Sequence, residues 1–112
     1  MEQAKEMTYL QVMKVFESRV GGTLEETKKG SHYTKDIESI YKPDPEVFLQ
    51  TGQALGMEKQ GEDLWPLRNF GEEEEYFLQY RDADGYLVGV VLTINYKKSV
   101  AGIGTISLGA AE

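Results

Sequence analysis

The sequence predicts an α+β domain in which two helices pack on a curved antiparallel sheet of three to four strands, closing with a C-terminal β-meander. Three observations predict it. Residues 8–22 and 44–56 each combine a helix start signal, an apolar face at helical spacing and a glycine stop. From Tyr86 every second residue is apolar, through Val88, Val90, Leu92 and Ile94 to Tyr96, which is strand alternation with one buried face. The preceding stretch carries Tyr76, Leu78 and Tyr80 at the same period, with a turn signal at Asp84-Gly85 between the two.

In the first helix Thr8 reads as the N-cap, and Gln11 three residues on completes a capping box that satisfies two otherwise unpaired N–H groups. Met7 and Val12 flank it as a hydrophobic staple. Tyr9, Leu10, Val12, Met13, Phe16 and Val20 share one broad face, and Gly21-Gly22 supplies the stop. Residues 1–6 are expected to fray. In the second helix Asp44 caps, Pro45 takes the first helical position and Glu46 complements the positive end of the dipole. Val47, Phe48, Thr51, Ala54 and Leu55 share its face, Gly56 ends it, and Gly52 marks a place where another element packs closely.

Residues 22–43 show no dominant period. Thr23 with Glu26 suits a short capped helix, and Ser31 to Tyr41 suits an irregular strand, so the segment reads mostly as loop. Leu64 to Phe70 reads as a short strand that Pro66 confines to an edge.

Register decides the hairpin. A two-residue turn would put Phe77, Gln79 and Arg81 opposite the apolar row and bury a charge. A three-residue loop, Ala83-Asp84-Gly85, instead opposes Tyr80 to Val88, Leu78 to Val90 and Tyr76 to Leu92. This predicts a type I turn over Asp82–Gly85 with Gly85 left-handed. The last strand alternates Val100, Gly102, Gly104, Ile106 and Leu108. An odd-length loop around Lys97-Lys98-Ser99 would place these on the same buried face.

The chain has 112 residues and reads as one domain over residues 1–112, with 40% hydrophobic residues and a net charge of −7. The acidic balance argues against direct binding to a nucleic-acid backbone. Without cysteine there is no disulfide, thiol nucleophile or cysteine zinc site, which fits a cytoplasmic protein. Residues 1–6 are mixed in charge and lead into no apolar run, unlike a secretory signal, and no segment reaches transmembrane length.

No catalytic constellation, metal set or cofactor motif is legible. His32 is the single histidine, and as a general base it would need Asp36 or Glu38 to orient it. The Asp82–Gly85 run lacks the oxygen ligand at Tyr80 and the glutamate at Val91 that a calcium loop demands. Gly102-Ile103-Gly104 lacks the third glycine and the following helix of a dinucleotide site.

Two surfaces remain as binding candidates. Phe77, Leu87 and Val91 on the second sheet face are too apolar for full exposure. With the acidic run Glu72, Glu73, Glu74 and Glu75, near Glu62 and Asp63, they suggest a non-enzymatic interaction module, self-associating or bound to another protein. The alternative is a small-ligand binder or small enzyme with a pocket between the first helix and the sheet. Tyr76, Tyr80 and Tyr96 would line it, Gly102 and Gly104 would open it, Asp36, Glu38 or His32 would serve as acid or base, and Trp65 would border it. A third reading is an acidic inhibitor that mimics nucleic acid.

Overall fold

The computed structural model describes residues 3–59, 68–69 and 73–109. A 3₁₀ turn, Ala4–Glu6, leads into helix α1 (Tyr9–Val20), followed by strands β1 (Thr23–Lys29) and β2 (His32–Ile40) and helix α2 (Pro45–Ala54). The two-residue segments β3 (Glu58–Lys59) and β4 (Arg68–Asn69) precede the long strands β5 (Glu73–Arg81), β6 (Leu87–Asn95) and β7 (Val100–Gly109). The fold is α+β, but the sheet has five long strands rather than three to four. They run β1-β2-β7-β6-β5, all antiparallel, with β3 and β4 paired to the outer side of β5.

The two extra strands are the segment read as loop. β1 and β2 form a hairpin across Gly30-Ser31, with Lys29 paired to His32 and Gly30 at φ 62°, a sign that two-residue hairpin turns favour. The period was hidden by an irregularity in β2. Ser39 sits at φ 58°, and the register against β7 shifts between Ile37 and Ile40. The bulge turns both isoleucines, three residues apart, toward the core, where each is fully buried. Neither a period of two nor one of 3.6 survives that step.

Both helices begin and end on the predicted signals. The Gln11 N–H donates to Thr8 Oγ1 at 3.2 Å, and the Thr8 N–H donates to Gln11 Oε1 at 2.9 Å. Glu46 N–H donates to Asp44 Oδ1 at 3.0 Å. Val12, Met13 and Phe16 of α1 and Phe48, Thr51 and Gly52 of α2 are buried against one face of the sheet, and the Phe16 and Phe48 rings meet at 5.2 Å. Gly52 is where Leu78 of β5 comes closest, as its lack of side chain suggested. Residues 4–6, expected to fray, are tied down: Ala4 is buried and its N–H donates to the Leu55 carbonyl at 2.8 Å.

The β5–β6 hairpin has the deduced register, with Tyr80 opposite Val88, Leu78 opposite Val90 and Tyr76 opposite Leu92. Gly85 lies at φ 86° and its N–H closes the turn on the Asp82 carbonyl at 3.0 Å. Asp82 Oδ1 also accepts the N–H groups of Asp84 and Tyr86, both at 2.9 Å.

β7 faces the other way from the prediction. Asn95 pairs with Val100, so the connection is the four residues Tyr96 to Ser99, with Ser99 at φ 54° and Asn95 Oδ1 accepting the Lys98 N–H at 3.0 Å. This even-length loop puts Ala101 and Ile103 in the core, and Val100, Gly102, Gly104 and Ile106 on the opposite face. The exposed Tyr86 and Tyr96 also leave the buried row. No helix among the described residues is long and apolar enough to cross a membrane. The predicted strand Leu64–Phe70 falls outside the described residues except at Arg68 and Asn69, which form β4; Trp65, Glu62, Asp63 and Glu72 also lie outside them.

Candidate functional site

With both helices on one side, the strands present a second face whose residues follow from the pleat. β5 contributes Glu73, Glu75 and Phe77, and β6 contributes Leu87, Gly89, Val91, Thr93 and Asn95. β7 adds Val100, Gly102, Gly104 and Ile106, and β2 adds Asp36 and Glu38. A concavity of about 650 Å³ lies on this face. Its floor runs over Gly102 and Gly104, where missing side chains let the surface dip, beside Val91 and Thr93 directly across the β6–β7 ladder. Gly102 also lies close to the neighbouring backbone, since a Cβ there would stand 3.0 Å from the Ile37 carbonyl oxygen.

Carboxylates stand on both sides of that floor, Asp36 and Glu38 from β2 on one, Glu73 and Glu75 from β5 on the other; Lys98 is at one end. Two of the four, one on each wall, are held by hydrogen bonds. Asp36 is buried and its Oδ1 accepts the Thr34 hydroxyl at 3.1 Å; Glu73 Oε1 accepts the Asn95 amide at 3.1 Å. The apolar end of the site is Phe77 and Ile106, which both lie close over Gly89.

The predicted interface residues Phe77, Val91 and Glu73 therefore come together here. Leu87 lies on the same face but lines a separate depression of about 330 Å³ with Lys5, Glu58, Tyr80 and Arg81. Glu74 points to the helix side, where its Oε2 accepts the hydroxyls of Tyr76 at 2.7 Å and Tyr96 at 3.2 Å. Burial, and then the hydrogen bond to Glu74, raise the Tyr76 hydroxyl well above the ordinary tyrosine pKa; partial desolvation and the same carboxylate raise that of Tyr96.

The predicted ligand residues do not share one surface. Tyr76 and Tyr80 are buried on the helix side, Tyr96 is exposed at the β6–β7 turn, and Gly102 and Gly104 lie across the sheet. The Tyr80 hydroxyl is buried with no hydrogen-bond partner among the described residues, and burial followed by the Asp82 charge pushes its pKa up to about 12. Asp36 and Glu38 fall at alternate positions of β2, on one face of the strand, and His32 is the first residue of that strand. Among the described residues no three of histidine, cysteine, aspartate and glutamate gather as metal ligands.

The chain matches no family model, no curated protein and no solved structure. Its function is to be read from the geometry and charge of its surfaces. The feature sequence reasoning missed is the neighbourhood of β2 and β7, which sets Asp36 and Glu38 across the floor from Glu73 and Glu75. The signal available was Gly30-Ser31, a hairpin dipeptide between two strand-length segments.

Proposed function

We propose that this protein is a non-enzymatic interaction module whose binding surface is the sheet face opposite its helices. The observation that carries the reading is one-sided packing. Both helices cover the face of Leu78, Val90 and Leu92, while no described residue covers the concavity that contains Val91, Gly102 and Gly104. A sheet with an apolar second face is ordinarily buried there as well, by another layer or another molecule. The occupant is another protein or a second copy of the chain, and a cytoplasmic setting suits a sequence without cysteine.

The volume also falls within the range of small-ligand cavities, roughly 300–1,000 Å³. Such cavities enclose most of their ligand, however, whereas this one has a floor and two walls but no described roof. That form suits a polypeptide laid across the sheet.

The test is native mass spectrometry of the protein recovered from its host under gentle salt, with Val91→Glu and Gln53→Glu in parallel. Gln53 is exposed on α2, away from the concavity. Expected are masses at multiples of the chain or with one added polypeptide for wild type and Gln53→Glu, and a folded, bare monomer for Val91→Glu. Association that survives Val91→Glu, or a wild-type chain with no associated polypeptide, would overturn the proposal.

A further inference from the structure

Resting on that reading, we infer that the occupant is an amphipathic helix of another protein, with an apolar stripe flanked on both sides by lysine or arginine. Width is the first argument. The carboxylate-bearing strands β2 and β5 are separated by β7 and β6, three inter-strand spacings, or roughly 14 Å. A helix with its side chains is about 10–12 Å across and fits between such walls, and its apolar stripe would meet Val91, Gly102 and Gly104 on the floor. The glycines matter here because they let a second backbone come close to the sheet.

Charge is the second argument, and it separates the candidates. Among the described residues the concavity is lined by four carboxylates, Asp36, Glu38, Glu73 and Glu75, against the single ammonium of Lys98. The acid lies on both walls. A second copy docking face to face about a two-fold axis would bring acidic wall against acidic wall in either orientation. An acidic or neutral helix would strip water from Glu38 on one wall and Glu73 on the other and bring no counter-charge in return. A helix with cations on both flanks meets Glu38 on one wall and Glu73 on the other at once. The hydrogen bonds from Thr34 and Asn95 hold two of the carboxylates in place beforehand, which lowers the ordering cost of binding.

The experiment measures binding of a lysine–leucine peptide of about 18 residues, five helical turns, with its leucines in one stripe and lysines on both flanks. A peptide of the same composition in shuffled order is the control for bulk charge. The variant Glu38→Lys/Glu73→Lys is compared with Glu6→Lys/Asp84→Lys, which makes the same change in net charge far from the concavity; melting curves confirm that both fold. The expected result is preference for the patterned peptide. The wall variant should lose at least about tenfold in affinity, the distant variant less than about twofold at moderate salt. Equal binding of the shuffled peptide, equal loss in both variants, or no binding of the patterned peptide would overturn the inference. If the wild type instead self-associates and Val91→Glu dissolves the assembly, the occupant is a second copy: the helix inference falls and the interaction module stands. If neither peptide nor any natural assembly depends on Val91, both fall.

Discussion

Phe77 lies across Gly89. A Cβ built on Gly89 would stand 2.6 Å from Phe77 Cζ and 3.0 Å from Ile106 Cγ1, so the ring occupies the volume that a side chain on β6 would fill. The two are diagonal neighbours, since Phe77 pairs with Val91 and Gly89 with Gln79. A glycine in mid-strand is weak on its own, and an aromatic ring folded over it replaces the missing packing. The same contact draws Phe77 down onto the sheet and leaves the glycine floor of β7 open beside it.

Gly89→Ala should therefore destabilise the fold by about 1 kcal/mol, because the half-buried ring can swing away but loses its seat. In a Phe77→Ala background the same substitution should cost nearly nothing. A double-mutant cycle in urea measures the coupling, and additive effects would mean that the ring does not depend on Gly89.

On the other side of the sheet, Gly52 of α2 meets Leu78, which is fully buried. Helix propensity alone would favour alanine at position 52 by about 1 kcal/mol. Overpacking against an immobile leucine costs about 1–3 kcal/mol and should win, so Gly52→Ala lowers the melting temperature. Pairing it with Leu78→Val should recover part of the loss. A melting temperature that rises in Gly52→Ala would show that the helix can shift outward at no cost.

The Tyr80 hydroxyl, buried without a partner among the described residues, is a cost to the fold that Tyr80→Phe removes. Stability at neutral pH should rise by about 1 kcal/mol, within the usual range for an unsatisfied buried group. The pH dependence has a definite sign. With the folded-state pKa at about 12, both folded and unfolded chains keep the proton below pH ~10. Between those values only the unfolded chain ionises, so stability falls as pH rises, by about 1.4 kcal/mol per unit for this one group. Tyr80→Phe should remove that share of the alkaline decline while Tyr76, also raised, keeps its own. Denaturation midpoints above pH ~10 provide the comparison; parallel slopes in the two proteins would contradict it.

How much of this was legible depended on whether local chemistry fixes the backbone. The helices were, because Thr8 with Gln11 and Asp44 with Pro45 announce their own geometry. So was the β5–β6 register, because a wrong one would bury Arg81. β2 was not legible, since the left-handed Ser39 breaks the alternation between Ile37 and Ile40. The face of β7 was lost to a similar event, as Ser99 at φ 54° closes a loop of even length that nothing in Lys97-Lys98-Ser99 advertises. Half of the candidate site suffered in consequence. Phe77, Leu87 and Val91 lie on the second face as their register required, the glycines were assigned to the wrong side, and the β2 wall was unseen because its strand was read mostly as loop.

That reassignment gives Gly104 its meaning. On the helix side a strand glycine would have left a hole for a core residue to fill; on the open side it deepens a surface. A glycine within a strand costs roughly 0.5–1 kcal/mol relative to alanine, and a β-branched residue there gains more through packing with cross-strand neighbours such as Val91. Gly104→Val should therefore raise stability by about 1 kcal/mol in chemical denaturation. The same side chain fills the floor between the walls and should weaken binding of the patterned basic peptide by about tenfold, with the carboxylates untouched. A stability gain together with a binding loss identifies the glycine as kept for the surface it shapes, the usual exchange of stability for function. If Gly104→Val is more stable and binds as well as wild type, the occupant does not reach the floor.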